Sequence, residues 1–309
     1  MGAIRIIRPG LLTTVQDLGR WGYQAQGVPV GGPMDPYAHR LANLILGNAE
    51  TAATLEITLI GPELVFEQDA RFVVAGADLS PRLGDRAVPM HTVCAAPAGA
   101  VLAFGARRGG ARAYLAVPDG IQVPPVLGSR ATQLVSAMGG VEGRALRAGD
   151  RLEIGTAGGA HAPPGRSRRA IVALPARGAV VRVLPGPQAG YFTDAAMATL
   201  GASRYTITTR SDRMGYRLDG PRLEHARGAD IISDATPLGV LQVPASGQPI
   251  LLMADRQTAG GYPKIATLIT ADLAIAGQLA PGDWIGFEIC SPRQAVAALI
   301  ERERPFVQG

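Results

Sequence analysis

PILLMADRQTAGGYPKIA, residues 249–266, shows the pattern that decides the fold. Its first part, Pro249–Ala254, is an apolar run of strand length, and polar residues begin where the run ends. Comparable short runs rich in Val, Ile and Leu recur along the 309 residues, between turns supplied by 40 glycines and 24 prolines. Such runs at close intervals predict a mainly β protein of the barrel or sandwich type.

Predicted strands greatly outnumber predicted helices. Strands are predicted at Ala3–Arg8, Leu64–Phe66, Phe72–Ala75, Ala113–Val117, Ile171–Leu174, Val180–Leu184, Tyr205–Thr209, Pro249–Met253 and Trp284–Ile289. Helices are predicted at Met34–Gly47, Asp194–Leu200 and Ser291–Glu303. The first helix has Asp35 as its N-cap and Gly47 at its end, and the last has a capping box of Ser291 and Gln294. We therefore expect a few short helices beside the strands.

Short sequence echoes indicate two related halves. The stretch IRIIRPG at 4–10 resembles VRVLPG at 181–186. Likewise, LRAGDRL at 146–152 resembles LAPGDWI at 279–285. A similar strand opens each half, and a similar turn and strand closes it. This repetition suggests two related β domains that arose by an old duplication.

A change of composition separates the two halves. Residues 156–169, TAGGAHAPPGRSRR, lack apolar periodicity and are crowded with Gly, Pro and Arg. Such a stretch indicates an exposed linker or a long loop. We therefore predict an N-terminal β domain at 1–155, a linker or long loop at 156–179, and a C-terminal β domain with a terminal helix at 180–309.

Composition argues against several classes of function. The net charge of +5 is spread over scattered arginines, without the interleaved aromatic residues that stack on bases, so nucleic-acid binding is not expected. Cys94 and Cys290 lie in no zinc-ligand spacing, and we expect no metal site. No apolar run has the length of a signal peptide core or a membrane span. We expect a cytoplasmic protein with no membrane partner.

Three segments combine an Asp close to an Arg with a following Gly and Tyr. They are Thr13–Tyr23, Arg210–Leu218 and Asp255–Lys264. Each Asp–Arg pair could simply be a surface ion pair that fixes a turn, a contact worth about 0–1 kcal/mol. Three such pairs in similar contexts also fit a shared cleft, because buried charges are costly without partners or a function.

Lys264 is the only lysine among 30 basic residues. Biased base composition in the coding DNA explains such a ratio, but so does a requirement for an amine at this position. Gly260-Gly261 nearby fits either a tight hairpin turn or backbone N–H groups that closely approach an oxyanion. In the second case, these groups with Tyr262 and Lys264 could polarise a carbonyl.

No standard catalytic motif accompanies these segments. The sequence has no Walker A motif, no G-x-S-x-G elbow and no H-E-x-x-H motif. Its four histidines are far apart and in no ligand spacing. Residue spacing alone therefore does not identify a reaction.

Several long motifs resemble one family. They are TTVQDLGRWGY at 13–23, GVPVGGPMDPYAHRLANLILGN at 27–48, VPPVLGSRAT at 123–132, SDRMGYRLDG at 211–220 and LQVPASGQPILLMADRQTAGGYPKIATLI at 241–269. The chain is identified by them, over residues 4 to 290, as a member of the biotin-dependent carboxyltransferase, or allophanate hydrolase subunit 2, family. Membership implies two cyclophilin-like β-barrel domains and a partner protein of similar architecture that completes the site.

The resemblance also implies the site residues. Carried over residue by residue, they are Gln16, Asp17, Arg20, Asp35, Asn43, Ser129, Arg130, Asp212, Arg213, Gly215, Asp255, Arg256, Gln257, Gly260, Gly261, Tyr262 and Lys264. We hypothesise that Lys264 and Arg213 bind an oxyanion or phosphate, and that Asp255 or Asp212 is the orienting or basic carboxylate. The stretch DATPLGV at 234–240 departs from the Gly-rich loop that is usual in the family.

The family implies three functions. The favoured one is a component of an ATP-dependent 5-oxoprolinase, which opens the lactam of 5-oxoproline to L-glutamate. Its implied partners are the B-like and A-like proteins of that enzyme, and ATP with Mg is used at the level of the complex. The absence of biotin carboxylase and carrier segments favours this function over the second, a biotin-dependent carboxyltransferase component that acts on urea. The third is a non-catalytic protein that antagonises a kinase inhibitor.

Overall fold

The computed structural model describes residues 2–155, 161–168, 170 and 172–307. It divides into two compact units. Unit one contains the described residues of Met1–Arg20 and Gly31–Ala176, and unit two contains those of Trp21–Val30 and Arg177–Gln308. Both units consist mainly of strands, which confirms the predicted mainly β class with few helices.

Unit one is built from two sheets and one helix. Its elements are β1 (Gly2–Arg8), β2 (Leu12–Gln16), α1 (Pro36–Leu46), β3 (Thr54–Thr58), β4 (Glu63–Phe66), β5 (Ala70–Asp78), β6 (Arg82–Leu83), β7 (Arg86–Ala87), β8 (Cys94–Ala96), β9 (Val101–Ala103), β10 (Gly109–Ala116), β11 (Ile121–Gln122) and β12 (Arg151–Ile154). The seven-stranded sheet has the order β11-β12-β1-β4-β9-β6-β7, and the five-stranded sheet β2-β3-β10-β5-β8. Side chains from both sheets share one core, in which the Phe66 and Phe72 rings stack 5.2 Å apart.

Helix α1 forms as its sequence predicts. The Asp35 carboxylate accepts a hydrogen bond from Ala38 N at 2.9 Å, and Gly47 ends the helix in the left-handed conformation, with φ at 90°. Its apolar face contacts β5 and β10. The helix is therefore fixed at both ends by local signals and along its length by the sheet.

Unit two is a closed barrel with three helices among its described residues. Its elements are β13 (Gly178–Pro185), α2 (Asp194–Ala202), β14 (Arg204–Ile207), β15 (Gly215–Asp219), β16 (Asp234–Ala235), β17 (Val240–Gln242), β18 (Ile250–Leu252), β19 (Ala259–Gly260), β20 (Lys264–Leu268), α3 (Leu273–Gly277), β21 (Trp284–Ile289) and α4 (Pro292–Val307). The barrel closes in the order β13-β20-β17-β18-β15-β14-β21, and β16 pairs with β19 outside it. Helix α4 begins with the predicted capping box, since Ser291 N donates to Gln294 Oε1 and Gln294 N to Ser291 Oγ.

The repeated turns have the same local structure in both units. Gly149 and Gly282 have φ angles of 90° and 88°. In each turn, the Asp that follows the glycine accepts a hydrogen bond from the backbone N–H of the residue three positions before that Asp. The strand after the turn pairs with the opening strand of its unit. However, β12 runs antiparallel to β1, whereas β21 runs parallel to β13. The sequence echo thus predicts the turn and the closing strand, whereas the pairing of that strand and its direction come from the structure.

The predicted linker is only partly described. Residues 156–160, 169 and 171 lie outside the described residues, and the domain limits at 155 and 180 remain a prediction. Within 161–168, Gly165 N donates to Val93 O, Val93 N donates to Arg166 O, and Ala162 N donates to Leu46 O. This part of the segment is therefore a loop bound to unit one.

One predicted strand is wrong where it can be seen. Residues 172–174 of the predicted strand Ile171–Leu174 form no strand, and Ile171 lies outside the described residues. Val172 and Leu174 instead border a small cavity beside Tyr37 and Leu41 of α1. Their apolar character thus serves packing against a helix. None of the helices among the described residues combines the length and the apolar character that a membrane span requires.

Candidate functional site

Two of the three predicted polar segments are joined by a buried ion pair in unit two. The Arg213 guanidinium donates to the Asp255 carboxylate through Nε and a terminal nitrogen, both at 3.0 Å. The two side chains are 5% and 2% exposed. Strand pairing fixes them, because β15 and β18 are neighbours and Asp255 N donates to Arg213 O at 2.8 Å. This bidentate geometry satisfies both buried charges and orients them rigidly.

Asp212, the other candidate carboxylate, has a structural partner as well. Its Oδ1 accepts from Met214 N at 2.8 Å and from Gly215 N at 3.3 Å, which closes the turn before β15. Asp212 thus holds a turn with one oxygen, and the residue borders the open pocket described below.

Lys264 has a carboxylate partner that we did not predict. Its side chain is 1% exposed, and Nζ donates to Asp234 Oδ2 at 2.6 Å, while the Asp234 side chain is 52% exposed. The hydrogen bond from Lys264, with that from Ala235 N, holds the pKa of Asp234 below its ordinary value. Lys264 N also contacts Gln188 Oε1 at 3.3 Å. The sequence contained a signal for this pair. A buried lysine needs a counter-charge, and the stretch 234–240, which departs from the family motif, begins with an aspartate.

The stretch 234–240 is bound to the predicted site segment. Asp234 pairs with Gly260 and Ala235 with Ala259 in the β16–β19 ladder. Arg256 Nε donates to Thr236 O at 2.7 Å, and the Thr236 hydroxyl donates to Gln257 O. Burial lowers the pKa of Arg256, and the nearby Asp255 opposes that shift. The unusual stretch therefore forms one face of this site.

Gly260 and Gly261 have distinct surroundings. Gly260 lies in β19, where an added Cβ would be 2.7 Å from Gln242 Nε2 and 3.3 Å from Gln257 Nε2. At Gly261, a Cβ would meet its nearest atom, Ile231 O, at 3.4 Å, an ordinary contact. A side chain at position 260 would thus require the Gln242 amide to shift, whereas one at position 261 would not.

These glutamines border an open pocket of about 280 Å³. It is lined by Asp212, Met214, Gly215, Arg217, Gln242, Pro244, Ile250, Leu252, Gln257 and Tyr262. Gln242 is 1% exposed, and Tyr262 is 41% exposed at the rim. The pocket thus brings together Asp212, Gly215, Gln257 and Tyr262 of the predicted set with Arg217 and Gln242, which were not predicted.

A second group of predicted residues lies in unit one. Asp17 accepts hydrogen bonds from Gly19 N, from Ser129 Oγ at 2.6 Å and from Arg130 N at 2.5 Å. Arg20 is fully buried and donates to Val126 O and Ala131 O, both at 2.9 Å. These contacts fix one loop, 126–131.

Gln16 is fully buried beside that loop. Its Nε2 donates to Thr14 Oγ1 at 3.0 Å and to Thr132 O at 3.1 Å. Gln16 therefore ties β2 to the chain that follows the loop. That the three polar segments share one cleft remains a prediction.

Asp35 and Asn43 act within helix α1. Asp35 is its N-cap, as described above. Asn43 Nδ2 donates to Ala52 O at 2.8 Å, and its Oδ1 accepts from Asn48 at 3.0 Å, which fastens the end of the helix to the following turn. The contacts of both residues thus account for their identity through the fold.

A buried polar network beside α1 was missed. Glu56 Oε2 accepts from Tyr114 Oη and from Met34 N, both at 2.7 Å, and Tyr114 Oη accepts from Asp35 N at 2.8 Å. Burial and the neighbouring Glu56 charge hold the pKa of Tyr114 well above its ordinary value. His39, fully buried next to Thr54, has its pKa lowered to about 4 by burial. Glu56 and Tyr114 lie on different strands, so no local sequence pattern connects them.

Comparisons with known proteins agree on one family. The model of the carboxyltransferase domain, subdomains A and B, matches residues 26–289. The C component of 5-oxoprolinase from Escherichia coli (strain K12) is 40% identical over 99% of this chain and 97% of that protein. The Haemophilus influenzae protein of the same name is 40% identical over 91% of this chain and 89% of its own length.

A solved structure shows the same fold. The K. lactis urea amidolyase has a TM-score of 0.90 and 31% identity over 98% of this chain, which spans only 19% of that protein. The family model matches most of this chain, and a relative is 40% identical over nearly all of it. This chain therefore belongs to the carboxyltransferase domain family, subdomains A and B.

Proposed function

We propose that this chain is a component of an ATP-dependent 5-oxoprolinase, in which it helps activate the lactam amide of 5-oxoproline for hydrolysis to L-glutamate. The observation that carries the proposal is the match with the C component of E. coli 5-oxoprolinase, which covers nearly the whole of both chains at 40% identity. In this proposal the chain acts with the B-like and A-like proteins of such an enzyme, and ATP with Mg is used by the complex.

The chemistry of the site supports this proposal. An amide carbonyl is a poor electrophile, so its oxygen must be polarised or phosphorylated before water attacks. Fixed positive charge in a site shielded from water stabilises the charge that develops on that oxygen. Arg213 is held by two hydrogen bonds to Asp255, so we propose that it positions Asp255 and does not itself contact the substrate oxygen.

Lys264 is the better candidate for direct contact with that oxygen. Among the described residues, its ammonium group has one carboxylate partner, the half-exposed Asp234. An anionic oxygen of the substrate can replace such a partner without leaving a buried carboxylate uncompensated. We therefore propose Lys264 as the group that binds the oxyanion or phosphate, with Asp234 as the anion that it binds in the absence of substrate.

A second candidate function is carboxyl transfer from carboxybiotin to urea. The TM-score of 0.90 with K. lactis urea amidolyase favours it, although this chain spans 19% of that protein. This reaction also takes place at an N–C=O group, but the nitrogen is the nucleophile. Biotin, and not ATP, would then be the group presented to this chain.

Reconstitution separates the two candidates. The chain is purified with B-like and A-like 5-oxoprolinase proteins, and ATP-dependent release of glutamate from 5-oxoproline is measured. We expect turnover that is lost in both Lys264→Ala and Lys264→Arg, because a guanidinium is larger and differently shaped than an ammonium. Absence of turnover by the complete wild-type complex contradicts the proposal. Urea-dependent consumption of carboxybiotin then identifies the second candidate.

A further inference from the structure

We propose that the pocket bordered by Gln242 and Gln257 binds a small cyclic amide that carries a carboxylate, with the glutamines recognising the amide and Arg217 the carboxylate. This inference rests on the proposed function and deepens it, because it assigns recognition of the same amide to residues beside Lys264. Gln242 pairs with Lys264 in the β17–β20 ladder, and a carbonyl oxygen can accept one hydrogen bond from the glutamine pair and another from Lys264. All the residues involved belong to unit two.

The glutamine pair is suited to an amide ligand. Gln257 Nε2 donates to Gln242 Oε1 at 3.3 Å, and Gln242 Nε2 contacts Tyr262 O at 3.5 Å. A carboxamide can donate two hydrogen bonds and accept two, so both side chains keep capacity beyond these long contacts. For the 1% exposed Gln242, unused capacity is costly unless a ligand or water satisfies it.

Geometry favours a cyclic amide over an extended one. In a small lactam the N–H and C=O lie on the same side of the amide bond, so both can face a single primary carboxamide. Gln257 Oε1 can accept from the ligand N–H, while a carboxamide N–H of the pair donates to the ligand C=O. The glycine at 260 leaves room for this arrangement, because a Cβ there would lie 2.7 Å from Gln242 Nε2 and require that amide group to shift.

The remaining walls fit the rest of such a ligand. Met214, Pro244, Ile250 and Leu252 offer apolar surface to the ring methylenes. A volume of about 280 Å³ is at the small end of ligand pockets, which favours a small substrate over a nucleotide. The polar half of the lining consists of Asp212, Arg217, Gln242, Gln257 and Tyr262.

Arg217 supplies the positive charge at this pocket. Within the described part of the chain, its backbone is fixed by Ser211 and Thr208, but its exposed guanidinium has no carboxylate partner. Arg213, at the turn before the same strand, is by contrast satisfied by Asp255. A guanidinium at a pocket edge is suited to bidentate binding of a carboxylate.

The test uses two ligands that differ only in the carboxylate. Dissociation constants of 5-oxoproline and 2-pyrrolidone are measured with the full-length chain by calorimetry or ligand-observed NMR. We expect Arg217→Gln to raise the dissociation constant of 5-oxoproline by roughly tenfold or more and to leave that of 2-pyrrolidone unchanged. Only 5-oxoproline loses a charge-assisted hydrogen bond in this variant. Gln257→Met should weaken the binding of both ligands. Arg222→Gln, at another exposed arginine of unit two, is the matched control and should affect neither.

Each result decides the inference. Absence of binding to the wild-type chain, equal effects of Arg217→Gln on both ligands, or unchanged affinity in Gln257→Met overturns it. Its failure is distinguishable from that of the proposed function. If the complex hydrolyses 5-oxoproline and the KM is unchanged in both variants, the function stands and this pocket is excluded. If the chain binds 5-oxoproline as expected but the complex releases no glutamate, the pocket stands and the proposed function fails.

Discussion

Arg213, just before β15, and Asp255, just after the neighbouring strand β18, face each other, and two hydrogen bonds of 3.0 Å join their buried charges. Removing one partner of a buried ion pair takes the counter-charge from the other, which costs about 3–5 kcal/mol. We therefore expect Asp255→Ala to lower the free energy of unfolding by that amount, as measured by urea denaturation. The double variant Arg213→Met/Asp255→Leu should recover much of the loss, since it removes both charges. A loss below about 1 kcal/mol in Asp255→Ala would mean that the pair behaves like an exposed one.

Lys264 controls the titration of Asp234. Because the ammonium favours the ionised carboxylate, its removal in Lys264→Met should raise the pKa of Asp234 toward its ordinary value. The measurement is a carboxyl ¹³C NMR titration of Asp234 in both proteins. Arg256→Met, which removes a different charge of the same site, is the control and should shift Asp234 less. An Asp234 titration that does not change in Lys264→Met contradicts the observed pair.

The adjacent glycines 260 and 261 provide a matched comparison. Gly260→Ala places a Cβ 2.7 Å from Gln242 Nε2, so the amide end of that flexible side chain must shift, at a cost at the low end of overpacking, about 1 kcal/mol. Gly261→Ala introduces only an ordinary contact and should change the free energy of unfolding much less. Denaturant unfolding of both variants tests this difference. Equal stability of the two would show that Gln242 is not held against Gly260.

Acid should destabilise the protein through His39. Its pKa in the folded state is about 4, below the ordinary 6.5, so the unfolded chain binds the proton first. The contribution of neutral His39 to stability is therefore complete above pH 6.5 and is lost as the pH falls toward 4, by about 3 kcal/mol at most. Urea denaturation between pH 7.5 and pH 4 measures it. His39→Gln should flatten this part of the profile; identical profiles for wild type and His39→Gln would refute the assignment.

Local signals made much of the fold predictable. Helix α1 was predicted from Asp35 and Gly47, and α4 from Ser291 and Gln294, because caps act within a few residues of the helix end. Strand order and barrel closure could not be predicted, since they depend on pairings far apart in sequence. The parallel pairing of β13 with β21 is one example.

The candidate site shows the same limit. Family motifs identified Arg213 and Asp255, which the structure joins, and also Asp35 and Asn43, whose contacts serve helix α1. The partner of Lys264 was missed because Asp234 lies 30 residues away, in the stretch that departs from the family motif. Motifs report which residues are shared among relatives, but not the contacts that each one makes.

Unit two takes its first residues from the beginning of the chain. Trp21–Val30 belongs to unit two, although the residues before and after it belong to unit one and the rest of unit two begins at Arg177. At about 5–20 residues per second, translation needs on the order of ten seconds to pass from one to the other. Residues 21–30 are therefore synthesised well before the barrel strands of their own unit. A gene divided at residue 177 would express the barrel without them.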